Sequence, residues 1–404
     1  MKTIYLAMPP YLPVPAVKGG AVETLAELFM DENEKQHRFD LVCFSVDCPE
    51  AREKAKQYRC TKFVPCNVQT RSCKARYAVS RPVHKVTRQR PYCLDDFHGG
   101  IYRAVKQCKP DLLIVEGGSC IDEYKKIAAW LGADRMALHV HTNTVNSCAA
   151  NRVFGHLICV SEFTRREWQN KVAIADCHVL QNATRIARYD PADLQLAQSA
   201  AALREKLGYR PEDFVLLFCG RLTEVKGVRE LIRAVLAIEN DRIRLLVLGS
   251  ANFSGADRTA YQKELLALVG RTDRVKFTGF IPNAATPAYY ALAQAVVVPS
   301  LYEDPAPLVA IEGMAAGKAM IVTESGGMPE YVPAEGRILV RKEPEWIVED
   351  LKRAIEMLYP NGHSEALCKA MGEKNLAASK AYSEAAYYTR YSEIIEAICE
   401  GRGD

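Results

Sequence analysis

AVVVPSLYEDPAPLVAIEGMAAGKAMIVTESGGMPE, residues 295–330, decides the fold. Four small apolar residues, 295–298, make a run of strand length that stops at Pro299-Ser300. A loop then carries Glu303 and Asp304, and a helix opens near Pro307, where the first-turn N–H that proline lacks would be unpaired anyway. Ala306 precedes that proline and Leu308 follows it; the helix reaches Glu312 and closes at Gly317. A second apolar run, 319–322, leads into Ser325-Gly326-Gly327, a glycine turn that opens another helix. Strands alternating with helices belong to βαβ units on a parallel sheet, whose strand ends carry ligand-binding loops. Glu312 lies in an otherwise small and apolar helix segment, IEGMAA, so its carboxylate needs a partner. Two partners fit: the hydroxyls of a nucleotide ribose, or a cation inside the protein.

The same alternation extends through the second half of the chain. Strands are expected at 214–219, 243–248, 274–278, 295–299, 319–322 and 337–340, and helices near 227–238, 259–269, 286–293, 307–316, 345–357 and 363–375. The first half repeats the order, with strands at 3–8, 39–46, 111–115, 135–140, 157–160 and 177–180, and helices near 20–31, 98–108, 121–132, 146–153 and 162–170. A polar, turn-like stretch near 181–210 separates the halves. At 404 residues the chain is too long for one core and suits two domains. The fold class expected is α/β, with two Rossmann-like domains. The last helix, 379–399, shows an apolar face of Tyr387, Tyr391, Ile394, Ile395 and Ile398.

Two glycine turns resemble the quoted one. Lys18-Gly19-Gly20 follows the first strand and precedes the helix AVETLAELF, a strand–turn–helix arrangement that offers backbone N–H groups to an anion. A tight turn without a ligand reads equally well there. GRLTEVKG, 220–227, follows the strand FVLLFC; Arg221 and Lys226 are placed to meet a diphosphate, the first bidentately and the second as a point charge. It is not a Walker A loop. His139 and His141 share one strand face by the two-residue period; they fit a sugar hydroxyl, a proton step or packing, and as a metal pair they lack an evident third ligand.

Composition narrows the class further. Hydrophobic residues make up 49% and charged residues 25% of the chain, which suits a folded core. No apolar run reaches transmembrane length, and no basic lead with an apolar region opens the chain, so a cytoplasmic protein is expected. Most of the 14 cysteines read as free thiols; Cys60, Cys66 and Cys73 are spaced too widely for a zinc knuckle. The net charge is +4, yet 54–90 holds eleven Lys or Arg and no acid. That stretch suits a solvated surface, or contact with an anionic acceptor or the inner face of a membrane. It lacks a nucleic-acid reading module.

Taken together, KGGAVETL, LHVHTN, LICVSEFTRRE, VLQNATR, GRLTEVKG, VKFTGFIP, PSLYEDPAPLVAIEGMAAG and ESGGMPE run in the order of glycosyltransferase family 4 and span nearly the whole chain. The sequence resembles that family, the retaining transferases of the GT-B fold, and within it the bacterial envelope, capsule or spore-coat type. The resemblance implies two domains, 1–182 and 183–378, facing across a cleft, with helix 379–399 packing back on the first. It implies a UDP- or GDP-type sugar donor, a saccharide or lipid-linked acceptor in surface polysaccharide synthesis, and no bound cofactor or metal. By the family's pattern Gly19 and Gly20 form the loop near donor phosphates and acceptor, and His141 lies beside the transferred sugar with His139 as its neighbour. Arg221 and Lys226 bind the diphosphate, and Glu312 binds ribose. Asp304 stands where the family has the first glutamate of E-x7-E, with Glu303 one step out of register. Pro305-Ala306-Pro307 replaces Pro-Phe-Gly, so Pro307 removes an N–H that the family's glycine donates. These two departures bear on the donor sugar and on turnover. They keep open a non-catalytic sugar-nucleotide or polysaccharide binder, and the shared double Rossmann layout keeps open a sugar-nucleotide epimerase. A dehydrogenase is disfavoured, because the first glycine turn lacks GxGxxG.

Overall fold

The computed structural model describes residues 1–67, 71, 74–75, 78–79, 82, 85, 96–117, 121–143, 150–250, 259–359 and 365–401. Most of the basic stretch beyond residue 67, together with Cys73, lies outside them. The chain divides into two compact units: Met1–Asn182 with Glu384–Asp404, and Ala183–Ser383.

The first unit contains β1 (Lys2–Ala7), α1 (Ala21–Gln36), β2 (Phe39–Val46), α2 (Pro49–Ala55), β3 (Thr61–Cys66), α3 (Asp96–Gln107), β4 (Leu112–Glu116), α4 (Lys125–Leu131), β5 (Met136–Val140), α5 (Ala150–Val153), β6 (His156–Cys159), α6 (Glu162–Gln169) and β7 (Asp176–Val179). Its strands form one parallel sheet in the order β3-β2-β1-β4-β5-β6-β7. The order reverses between β1 and β4, which opens a crevice at their carboxyl ends, the usual ligand position in such sheets.

Sequence reading passes over α2 and β3. Pro65 and Lys62 break the pattern of a buried strand, but β3 is an edge strand, where proline's missing N–H takes no ladder bond away. Part of the basic stretch is therefore regular structure, not loop: Lys54 on α2 pairs with Glu27 of α1 at 2.7 Å.

The second unit contains α7 (Leu194–Lys206), β8 (Phe214–Cys219), α8 (Val228–Leu236), β9 (Ile243–Leu248), α9 (Ala260–Val269), β10 (Val275–Gly279), α10 (Thr286–Leu292), β11 (Ala295–Val298), α11 (Leu308–Ala315), β12 (Ala319–Thr323), α12 (Met328–Tyr331), β13 (Arg337–Val340), α13 (Ile347–Leu358) and α14 (Glu365–Ser379). Its parallel order is β10-β9-β8-β11-β12-β13, with the reversal between β8 and β11. All four residues of β11 are buried, as its unbroken apolar sequence requires for a strand covered on both faces. Gly227 joins the turn after β8 to α8 at φ +69°, and a Cβ there would meet the Pro299 carbonyl oxygen at 1.9 Å. The loops after β8 and β11 touch through that glycine.

The final helix, α15 (Glu384–Glu400), belongs to the first unit and lies along α1. It buries Tyr387, Tyr388, Tyr391, Ile395 and Ile398, whereas Ile394 is only half-buried. Tyr388 donates from its hydroxyl to Asn33 Oδ1 at 2.9 Å, and Arg38 pairs with Glu396. Asn33 in turn bonds the Phe39 backbone in both directions, tying helix, strand and terminal helix together.

Candidate active site

The residues singled out in the sequence gather at both crevices, and each crevice is built by its own sheet. In the second unit Gly220 and Arg221 follow β8, and Arg221 is exposed. Glu224–Lys226 make one turn of 3-10 helix before Gly227. That turn aims Lys226 at the loop after β11. Its ammonium donates to Asp304 Oδ2 at 2.7 Å and to the Tyr302 hydroxyl at 3.0 Å, 4.7 Å from the Tyr302 ring centre. Burial lowers the Lys226 pKa, but the charge and hydrogen bond of Asp304 outweigh it and leave the amine above its ordinary value. Lys226 is thus protonated, and its charge is balanced by a carboxylate that is itself 5% exposed.

Asp304 and Glu303 take different partners. The Asp304 backbone N–H donates to Ser325 Oγ at 3.4 Å. Glu303 accepts from the Gly326 backbone N–H and pairs with Lys342. Gly326 has φ +55°, and a Cβ there would meet the Asp304 carbonyl at 2.3 Å, so the glycine turn before α12 and the acidic loop lie in direct contact. The two neighbouring acids therefore divide the work: Asp304 faces Lys226, and Glu303 faces the glycine turn.

Pro307 occupies the position just before α11 in extended geometry, as its fixed φ suits. Ala306 and Leu308 beside it pack on the apolar core of this unit. Glu312 lies in the second turn of α11. Its carboxylate has a partner, but the partner is a tyrosine hydroxyl: Tyr290 donates to Oε2 at 2.6 Å. Burial raises the Glu312 pKa, and the hydrogen bonds from Tyr290 and Tyr189 pull against it. Tyr290, Tyr189 and Tyr302 are site residues that sequence reading did not find, because isolated tyrosines carry no motif.

In the first unit Gly19 and Gly20 lead from β1 into α1, with φ of +76° and +101°. Glu23, in the first turn of α1, folds back so that its carboxylate covers Gly20. It is buried, and burial raises its pKa against the pull of its own backbone N–H.

His139 and His141 come together at the end of β5, their rings 4.2 Å apart. The third group that the sequence did not reveal is Glu116, the last residue of β4 and the strand partner of His139. Glu116 Oε2 lies 2.9 Å from His141 Nε2 and 2.9 Å from His139 Nδ1. Its other oxygen accepts from the Tyr391 hydroxyl at 3.0 Å. The three ligand-type atoms lie within 4.8 Å of one another, close enough to hold a metal ion. The charged end of the apolar strand LLIVE was the signal that could have found Glu116.

A protein-family model described as glycosyl transferases group 1 matches residues 199–375. The group 1 segment spans most of the second unit, including both loops around Lys226 and Asp304. One relative, an uncharacterised glycosyltransferase of Methanocaldococcus jannaschii, is 34% identical over 155 residues; the match covers 38% of either chain, well under two thirds of that relative's length. Spore coat protein SA of Bacillus subtilis is 24% identical over 339 residues, 80% of each chain. The solved structure of Anabaena HepE, in complex with UDP and glucose, aligns over 98% of this chain and 100% of its own with a TM-score of 0.74 at 18% identity. At that identity the likeness is one of fold, and it covers both units. The protein has the GT-B fold, two parallel-sheet α/β domains in one chain. Among the described residues, no helix is long and apolar enough to cross a membrane.

Proposed function

We propose that the protein transfers a sugar, with retention of anomeric configuration, from a nucleoside-diphosphate sugar of the UDP or GDP type to a saccharide or lipid-linked acceptor of a cell-surface polysaccharide. The observation that carries this reading is the pairing of Lys226 with Asp304 across the crevice between β8 and β11, with Arg221 exposed on the same loop. A leaving diphosphate gains negative charge as the anomeric C–O bond breaks. Cations held in place before the reaction stabilise that charge without reorganisation. In the unliganded protein Asp304 supplies the counter-charge. With donor bound, the diphosphate takes over Lys226, and the Asp304 carboxylate turns to the sugar hydroxyls. Glu312 accepts from the ribose hydroxyls. A phosphate oxygen of the leaving group takes the acceptor proton, and no protein nucleophile is invoked. Two cations and no metal ion carry the charge in this reading.

Names of relatives support the class of reaction, and the UDP and glucose of the Anabaena complex support the type of donor. The reading places the reaction in the cytoplasm, with the basic stretch 54–90 as the part that meets an anionic acceptor or the inner membrane face.

A second reading rests on two departures from the family's pattern. Asp304 is one methylene shorter than the glutamate it replaces, and Pro307 lacks an N–H to donate, so the donor sugar has fewer holds, which suits a non-catalytic sugar-nucleotide binder. Thermal unfolding against UDP, GDP, ADP and their glucose conjugates separates the readings, because a ligand that binds only the folded state raises Tm. One nucleotide family should shift Tm equally with and without magnesium, and Arg221→Ala and Glu312→Ala should abolish the shift. Acceptor-dependent release of nucleotide then marks a transferase; binding without release against a broad acceptor panel marks the binder. No shift with any nucleotide would overturn both.

A further inference from the structure

We infer that Glu116 is a positioning residue that fixes the tautomer of His141, and that Tyr391 on the C-terminal helix fixes Glu116 in turn. The inference deepens the proposed function, since it rests on His141 standing beside the transferred sugar. Glu116 is 5% exposed, and a buried carboxylate left without donors is costly. Here Tyr391 Oη donates to Oε1 at 3.0 Å, and His141 Nε2 lies 2.9 Å from Oε2. His139 Nδ1 lies equally close to Oε2 but off the hydrogen-bonding direction. Burial would raise the Glu116 carboxyl, yet the two imidazoles beside it hold it far below its ordinary range. Among the described residues, Glu23 and the thiol of Cys43 also feel the Glu116 charge.

An ionised carboxylate only accepts hydrogen bonds, so His141 Nε2 must carry its hydrogen. Burial, with His139 beside it, lowers the His141 pKa against the pull of the Glu116 carboxylate, which favours the neutral ring. A neutral imidazole has one N–H, which leaves Nδ1 as a lone pair. The side chain is 11% exposed, so that edge has some access to solvent. His141 is thereby set as an acceptor for a hydroxyl hydrogen, with the logic by which a carboxylate orients histidine in a hydrolytic triad. Tyr391 brings α15 into this chain of contacts, so the last helix steadies the ring as well as covering α1.

A metal held by the same three residues makes the opposite demand, since it would need the lone pair of Nε2. Imidazole nitrogen NMR on the full chain, uniformly labelled at its 8 histidines, decides between them. His141 is assigned by the signal lost in His141→Asn. The expected result, at about pH 7, is protonated Nε2 and unprotonated Nδ1. Glu116→Gln should give a mixture of tautomers, and Tyr391→Phe a smaller shift in the same direction. With UDP-glucose as donor, Glu116→Gln should lower kcat roughly tenfold or more and leave KM nearly unchanged. Protonated Nδ1 in the wild type, tautomers unchanged in both variants, or one equivalent of Zn²⁺ bound through Nε2 would overturn the proposal. Should Glu116→Gln fail to fold, the Tyr391→Phe spectrum still tests it. Failure of the transferase reading is distinguishable, because the spectra of the unliganded protein require no turnover.

Discussion

Glu312 carries a carboxyl whose proposed role in binding opposes its contribution to stability. Its pKa is raised above the ordinary 4.5, chiefly by burial. A carboxyl raised in the folded state favours folding while protonated, and that contribution is lost as pH rises through the folded pKa. In the proposed donor complex the ionised carboxylate accepts from ribose hydroxyls, and protonation removes acceptor capacity. Acidification should therefore weaken UDP binding at a higher pH than an exposed carboxylate would dictate. Calorimetric titration of UDP from about pH 8 down to about pH 5 measures this. Glu312→Gln should bind UDP weakly and without that pH dependence, yet unfold at an equal or higher temperature near neutrality. Position 312 was legible in the sequence because a single acid interrupts an apolar helix. Its tyrosine partners were not, since Tyr189 and Tyr290 are distant in sequence and meet Glu312 only when the turn Ile186–Tyr189 packs against both α10 and α11.

At the scale of elements, Asn33 is the joint between α1, the start of β2 and α15. Its amide donates to the Phe39 carbonyl at 2.9 Å, its oxygen accepts from the Phe39 N–H at 3.2 Å, and Tyr388 donates to the same oxygen. Replacing one partner of a fully buried set leaves the others unsatisfied, at about 1–3 kcal/mol for each group. Asn33→Ala should thus lower stability by roughly 2–4 kcal/mol, and Tyr388→Phe by about 1 kcal/mol, in denaturant unfolding. Most elements were legible before the fold: all six strands of the second sheet lie where apolar runs place them. The exceptions are instructive. β3 carries Pro65 and Lys62, which only an edge position tolerates, and edge position belongs to the sheet and not to the segment. Helix α2 is a short element whose seven residues include four charges, with Ala51 as its one buried position.

At the scale of the whole molecule, the two units answer to acid differently. In the first, Glu116 is lowered from 4.5 and His141 from 6.5. Both groups take up protons in the unfolded chain before they do so in the folded one. Their stabilisation is present above those values and is lost as pH falls, so the first unit should weaken progressively from about pH 6.5 downward. Trp168, fully buried in the first unit, reports this by fluorescence in thermal or urea unfolding at a series of pH values. The sequence by itself determined the α/β class, and it proposed two domains, the strand-end loops with Gly19, Gly20, His141, Arg221, Lys226 and Asp304 on or beside them, and Glu312 on the helix that follows. It could do so because apolar periodicity, glycine turns and lone acids in apolar segments are local signals. Only the tertiary structure decided which of these residues meet. Lys226 and Asp304 are 78 positions apart, and Glu116 and Tyr391 are 275 apart. Strand order brings β8 beside β11 and β4 beside β5, and packing of α15 on α1 brings Tyr391 over the end of β4. No local pattern encodes those approaches, because they arise from the shared burial of distant apolar faces.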